Sequence, residues 1–141
     1  MDKEKKAEWE GWIKRAISDY NSAKKLVDGD EKYLDTAVYH CQQAVEKILK
    51  SFFVYKDIQF EKVHSIVYLV SKCAKIEKSF EKWYEAAEVL TPYATAFRYP
   101  GDYFEPEIED VDEAIRYAKE IINFVISIYL KNKDYDGKLV E

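Results

Sequence analysis

The residues best suited to chemistry lie in three short segments, and the first contains His40, Gln43 and Lys47. These residues are spaced three and four positions apart, which on a helix places them on one face. Gln43 can hydrogen-bond a base or ribose edge or a neighbouring helix, and Lys47 and Lys50 can meet phosphate. The structural alternative is that His40 packs at the edge of a bundle with both ring nitrogens satisfied, and that Glu46 and Lys50 form an i, i+4 surface pair.

The other two segments each carry one candidate group. His64 stands directly before Ser65, where it either fixes the entry of a helix by hydrogen bonding or lines a pocket at a positive helix end that favours anions. Residues 98–103 read RYPGDY. The planar guanidinium of Arg98 suits a carboxylate, a phosphate or a stacked base, and Tyr99 can stack on it. The alternative is that Arg98 pairs with an acidic neighbour and anchors the loop.

Several other kinds of chemistry have no signature in the sequence. There is no GxGxxG or P-loop motif and no recognisable order of nucleophile, His and carboxylate. The chain has only 2 His and 2 Cys and no cluster at metal-ligand spacing, so we predict no metal site and no cofactor. Cys41 and Cys73 do not form a CxxC pair, and we expect two free, buried thiols.

Helical periodicity defines the elements that position these segments. Apolar residues recur in alternating steps of four and three along three stretches, which places each set on one helix face. The sets are Trp9, Ile13, Ala16, Tyr20, Ala23 and Val27; Leu34, Val38, Cys41, Val45, Ile48, Phe52 and Tyr55; and Ile108, Val111, Ile115, Ala118, Ile122, Val125 and Tyr129. Two shorter helices are predicted between them, capped by Ser65 and Ser79, followed by an ordered loop. We therefore predict an all-α, up-and-down helical bundle of about five helices.

Composition limits the class of protein further. The 141 residues carry a net charge of −5 with only 4 Gly and 3 Pro, which favours one helical domain over residues 1–141. We expect its core to span about 8–131 and residues 132–141 to form a frayed tail. The acidic balance disfavours general DNA binding. Since the chain shows neither a secretory signal nor an apolar stretch near the roughly 20 residues a membrane span needs, we expect a soluble, cytoplasmic protein.

The last predicted helix has more apolar surface than one stripe requires. In its second half Ile121, Phe124 and Ile128 add to the periodic set, so this part is apolar around most of its circumference. Such a helix is either buried centrally or lies at a subunit interface. We predict a homodimer with Ile121, Phe124 and Ile128 in the interface.

Three separated motifs resemble those of prokaryotic HEPN domains (higher eukaryotes and prokaryotes nucleotide-binding). Residues 39–50 (YHCQQAVEKILK) resemble the core motif, residues 63–69 (VHSIVYL) its following "His then Leu" helix start, and residues 96–100 (AFRYP) its Arg-Tyr-Pro loop. The resemblance spans roughly residues 8–131. It implies a bundle of about five helices that often dimerises. It also implies a frequent partner, a minimal nucleotidyltransferase, in toxin–antitoxin or related modules.

The resemblance also raises the question of catalysis. Many HEPN proteins are metal-independent RNases whose Arg is followed, after four to six residues, by a His, and none of Arg15, Arg98 and Arg116 has a His in that window. We therefore expect a non-catalytic module that binds a nucleotide, a nucleotidyltransferase or both. The alternatives are a divergent ribonuclease toxin that uses His40 or His64 with Arg98, and a structural dimerisation module. The candidate binding residues are His40, Gln43, Lys47, His64, Arg98 and Tyr99.

Overall fold

The computed structural model describes residues 2–97, 99–101 and 105–141. Within these ranges the chain is helical without any strand, and it contains five α-helices, as the sequence predicts. The helices are α1 (Lys3–Leu26), α2 (Leu34–Tyr55), α3 (Ile66–Ile76), α4 (Tyr84–Leu90) and α5 (Ile108–Lys131). Short 3₁₀ helices span Lys78–Trp83 and Thr91–Ala94.

Helices α1 and α2 form an antiparallel hairpin that carries most of the candidate site. The Asp2 carboxylate caps α1 by accepting from the Glu4 amide at 2.8 Å. After α1 the chain reverses through Gly29, whose φ of 111° is a backbone conformation that favours glycine. The predicted stripes of both helices face each other, and their residues from Trp9 to Ala23 and from Val38 to Phe52 are buried.

The two predicted serine caps have different outcomes. Ser65 caps α3, because its hydroxyl accepts from the Tyr68 amide at 3.2 Å. Ser79 does not begin a helix; it lies inside the first 3₁₀ helix, and its hydroxyl donates to the Glu77 carboxylate at 3.0 Å. Glu77 occupies the N-cap position of this 3₁₀ helix. The predicted fourth helix is thus divided into the 3₁₀ helix and α4.

Helix α5 buries most of its apolar side chains within its own chain, and this changes the predicted interface. Ile121 is fully buried in the core of its own chain, so it has no surface to offer a second copy. The Phe124 ring lies 5.0 Å from Phe80 and 5.6 Å from Trp83, centroid to centroid. Ile128 is half-buried. The extra apolar surface of α5 is thus used largely within the chain.

Residues after α5 are docked in the structure, in contrast to the frayed tail expected from sequence. The side-chain amide of Asn123 donates to the Val140 carbonyl at 2.9 Å and accepts from the Val140 amide at 2.7 Å. On α1, Tyr20 Oη donates to the Glu141 carbonyl oxygen at 2.7 Å. Asn123 fixes the segment because one amide supplies both a donor and an acceptor for its backbone.

Burial also defines the two thiols. Cys41 and Cys73 are free and fully buried, as predicted. Burial disfavours the thiolate and raises the pKa of Cys41 to about 12. The pKa of Cys73 is raised for the same reason. No helix in the described part of the chain is both long enough and apolar enough to span a membrane.

Candidate functional site

A row of buried polar side chains runs along α2 at helical spacing. Gln42, Glu46 and Lys50 are four residues apart, and all three are buried. Glu46 is only 4% exposed; its Oε2 accepts from Lys50 Nζ at 3.0 Å, and its Oε1 accepts from Gln42 Nε2 at 3.3 Å. The Glu46–Lys50 pair expected at the surface therefore forms, but inside the protein. Lys50 Nζ also lies 5.7 Å from the ring centroid of Trp12, a cation–π distance.

His64 lies at the rim of this row, where the chain enters α3. Its Nδ1 is 2.9 Å from Glu46 Oε1, and its main-chain carbonyl accepts from Gln42 Nε2 at 2.9 Å. The imidazole is 70% exposed. The buried carboxylate therefore fixes the ring through Nδ1 and leaves Nε2 on the outer side. His64 is positioned both to hold the helix entry and to exchange a proton or hydrogen bond with a ligand.

A second network joins α1 to α2 through Asp19. One oxygen of Asp19 is 2.7 Å from His40 Nδ1, and the other accepts from Lys47 Nζ. The Asp19 side chain is 12% exposed. His40 is thus held at the bundle edge through Nδ1, and Lys47 is ion-paired. Asp19 was missed from sequence; its only signal is its position immediately before Tyr20 of the buried stripe.

Gln43 lies between the two networks. It occupies the helix face of His40 and Lys47, and its Nε2 donates to Gln42 Oε1 at 2.7 Å. Four of the six predicted binding residues (His40, Gln43, Lys47 and His64) therefore belong to two adjacent hydrogen-bond networks along α2.

The structure describes only part of the predicted loop, residues 99–101. Arg98 lies outside the described residues. Tyr99 is described and is 66% exposed. Phe97, which precedes them, lines a concavity of about 280 Å³ with Thr36 and Tyr39 of α2. Phe97 thus lies beside the first turns of α2, close in sequence to His40.

The donor set of the described residues gives no metal centre. Within residues 2–97, 99–101 and 105–141, no group of three or more His, Cys, Asp and Glu side chains is arranged to hold a metal ion. The side chains that the site does offer are two imidazoles, two amides and two ammonium groups, together with the Asp19 and Glu46 carboxylates that hold them, a set suited to hydrogen bonding.

The described residues form a five-helix domain with a buried polar row on α2. The HEPN domain family matches residues 9–133, and the chain belongs to this family. A protein of Methanocaldococcus jannaschii named "putative toxin" is 33% identical over 139 residues, an alignment that covers 86% of this chain and 88% of the relative. No solved structure matches the chain.

Proposed function

We propose that this protein is the HEPN component of a toxin–antitoxin-like module and that it binds a nucleotide, a minimal nucleotidyltransferase partner or both, without cleaving RNA. The carrying observation is the assembly of His40, Gln43, Lys47 and His64 into two adjacent networks on α2. The family membership and the toxin name of the relative support the module.

The networks favour binding because they fix polar groups before a ligand arrives. His64 is held by a carboxylate that is itself buried, and an ordered donor loses less entropy when it binds. Gln43 is half-buried between them and offers an amide to a base or ribose edge. Arg98 and Tyr99 remain part of the proposed set, as a phosphate ligand and a stacking ring.

Calorimetric titration with ATP, GTP and a short RNA tests the nucleotide proposal. We expect heat with at least one ligand, and a loss of affinity of about tenfold in His64→Ala or Gln43→Ala, since each removes one hydrogen bond to the ligand. Lys75→Ala, an exposed change on α3, is the control and should bind as the wild type. Absence of heat with all ligands, together with no nucleotidyltransferase in affinity purifications, contradicts the proposal.

A ribonuclease toxin is the second candidate, and the Glu46–His64 pair is the observation in its favour. A carboxylate that orients an exposed imidazole is an arrangement used for acid–base catalysis. Incubation of total RNA and tRNA with the wild type and with a His40→Ala, His64→Ala double variant decides the matter. Cleavage by the wild type alone establishes this candidate, whereas no cleavage, or equal cleavage by both, removes it.

The module is proposed to act as a homodimer through the outer side of α5. Phe124 and Ile128 are the half-buried apolar residues of the predicted interface, and Ile121 is excluded by its burial. We expect Ile128→Glu to sediment as a monomer and the exposed change Lys119→Glu to remain dimeric. A wild type that sediments as a monomer contradicts the homodimer. An Ile128→Glu variant that remains dimeric places the interface elsewhere.

A further inference from the structure

The cleft between α1 and α2 has the size and the groups of a small-ligand site that sequence reasoning did not single out. It is an open concavity of about 590 Å³, lined by Glu8, Trp12 and Arg15 of α1 and by Glu46 and Lys47 of α2, together with Ala7 and Gly11. This volume lies in the range of small-molecule pockets, roughly 300–1,000 Å³. Glu46 forms part of its wall and also holds His64, so the cleft adjoins the networks described above.

Arg15 is the distinctive group of this cleft. Its side chain is exposed, and among the described residues it forms none of the ion pairs that occupy the neighbouring cations. Lys47 is paired with Asp19, and Lys50 with Glu46. Arg15 is therefore the cation whose charge is uncompensated, and its guanidinium is suited to bidentate recognition of phosphate.

Trp12 lies one helical turn before Arg15 and gives the cleft an aromatic wall. Its indole is half-buried, and Lys50 Nζ lies 5.7 Å from its ring centroid, so the ring is braced from within. Nucleobases stack on such rings whichever base they are, because every base has a flat aromatic face. Glu8 lies a further turn away and would repel an anion, so a phosphate is favoured at the Arg15 end and a ring over Trp12.

We propose that the α1–α2 cleft binds a mononucleotide, with its base on Trp12 and its phosphate on Arg15, beside the Lys47 that Asp19 already pairs. The inference rests on the proposed function in assuming that a nucleotide is the ligand. It assigns the phosphate to Arg15, and it places the ligand beside Glu46, which holds His64.

Titration of the full chain with AMP, ATP and inorganic phosphate, followed by calorimetry and by indole fluorescence, tests the assignment. We expect AMP and ATP to bind and to quench the indole signal, and phosphate alone to bind at least about tenfold more weakly because it lacks the stacked ring. Arg15→Gln and Trp12→Leu should each weaken AMP binding about tenfold or more. Glu8→Gln should tighten it, since it removes a repelling charge from the cleft.

Lys14→Gln is the matched control for Arg15→Gln. It removes the same charge from the adjacent residue, but Lys14 lines a different concavity together with Tyr135. Arg15→Lys retains the positive charge without the planar guanidinium, so an affinity between those of the wild type and Arg15→Gln supports the assignment. Circular dichroism of each variant verifies the helical content.

The outcomes separate this inference from the proposed function. If AMP binds and Arg15→Gln matches the wild type while His64→Ala or Gln43→Ala weakens binding, the cleft assignment is overturned and nucleotide binding at α2 stands. Equal weakening by Lys14→Gln and Arg15→Gln also overturns it, because the effect is then one of general charge. If neither AMP nor ATP binds the wild type, both the cleft and the nucleotide part of the proposed function fail.

Discussion

At the scale of single residues, the site depends on a carboxylate that is almost fully buried. Glu46 has one oxygen shared by His64 and Gln42 and the other bound to Lys50. A buried ion pair contributes little net stability, but removing one partner leaves an uncompensated charge inside the protein. Glu46 is therefore a positioning residue for His64 and a requirement for tolerating Lys50.

Glu46→Gln should lower the free energy of unfolding by about 3 kcal/mol, because Lys50 then remains buried without its counter-charge. Urea denaturation measures the change. Adding Lys50→Met should recover much of the loss. Glu120→Gln, which breaks an exposed i, i+4 pair with Arg116, should change stability by no more than about 0.5 kcal/mol. If the Lys50→Met addition destabilises further, the argument from charge burial is wrong.

The thiols make stability fall in alkaline solution. The pKa of Cys41 is raised from 9.0 to about 12 in the folded protein, so the unfolded chain releases this proton at a lower pH than the folded chain. The contribution of the thiol to the free energy of unfolding is therefore fully present below pH 9 and is lost as the pH rises towards 12. The urea midpoint should drop as the pH rises above about 9, and less steeply in Cys41→Ala, Cys73→Ala. A double variant with the same pH dependence contradicts this cause.

At the scale of elements, the entry of α3 decides where His64 lies. Ser65 caps the helix through the Tyr68 amide, and His64 precedes it, so the cap sets the backbone from which the imidazole reaches Glu46. Losing the cap should therefore affect both the helix and the site.

Ser65→Ala should destabilise the protein by about 1 kcal/mol, the usual cost of a lost N-cap. Ser79→Ala is the control, since its hydroxyl contacts the Glu77 side chain on the surface and should matter little. Thermal unfolding compares the two variants. Equal losses would mean that the Ser65 hydroxyl has no special role as a cap.

At the scale of the whole molecule, the segment after α5 joins the two ends of the bundle. Asn123 on α5 holds Val140, and Tyr20 and Lys24 on α1 hold Glu141. At the other end of α1, where Tyr55 packs on Trp9, Tyr55 Oη donates to the Asp134 carboxylate at 2.6 Å. Tyr135 and Val140 of this segment pack against the hydrophobic core.

Asn123→Ala should release this segment, because both backbone hydrogen bonds of Val140 are lost with the amide. We expect faster amide exchange over residues 136–141 and faster proteolysis there, with the helical content unchanged. Ser127→Ala, one turn further along α5, loses only a bond to the carbonyl of Asn123 and should leave exchange in the segment as in the wild type. Exchange that Asn123→Ala leaves slow would show that the segment is held by other contacts.

The sequence by itself determined the helices, their buried stripes, the cap at Ser65 and the common face of His40, Gln43 and Lys47, because these follow from local spacing and local hydrogen bonds. Only the tertiary structure decided that Glu46 is buried, that Asp19 pairs with His40, and that Arg15 and Glu46 line one cleft between α1 and α2. Periodicity tells which face of a helix a residue occupies, but not how deeply packing covers it. Contacts between α1, α2 and the entry of α3 join residues far apart in the chain, and no local pattern encodes them.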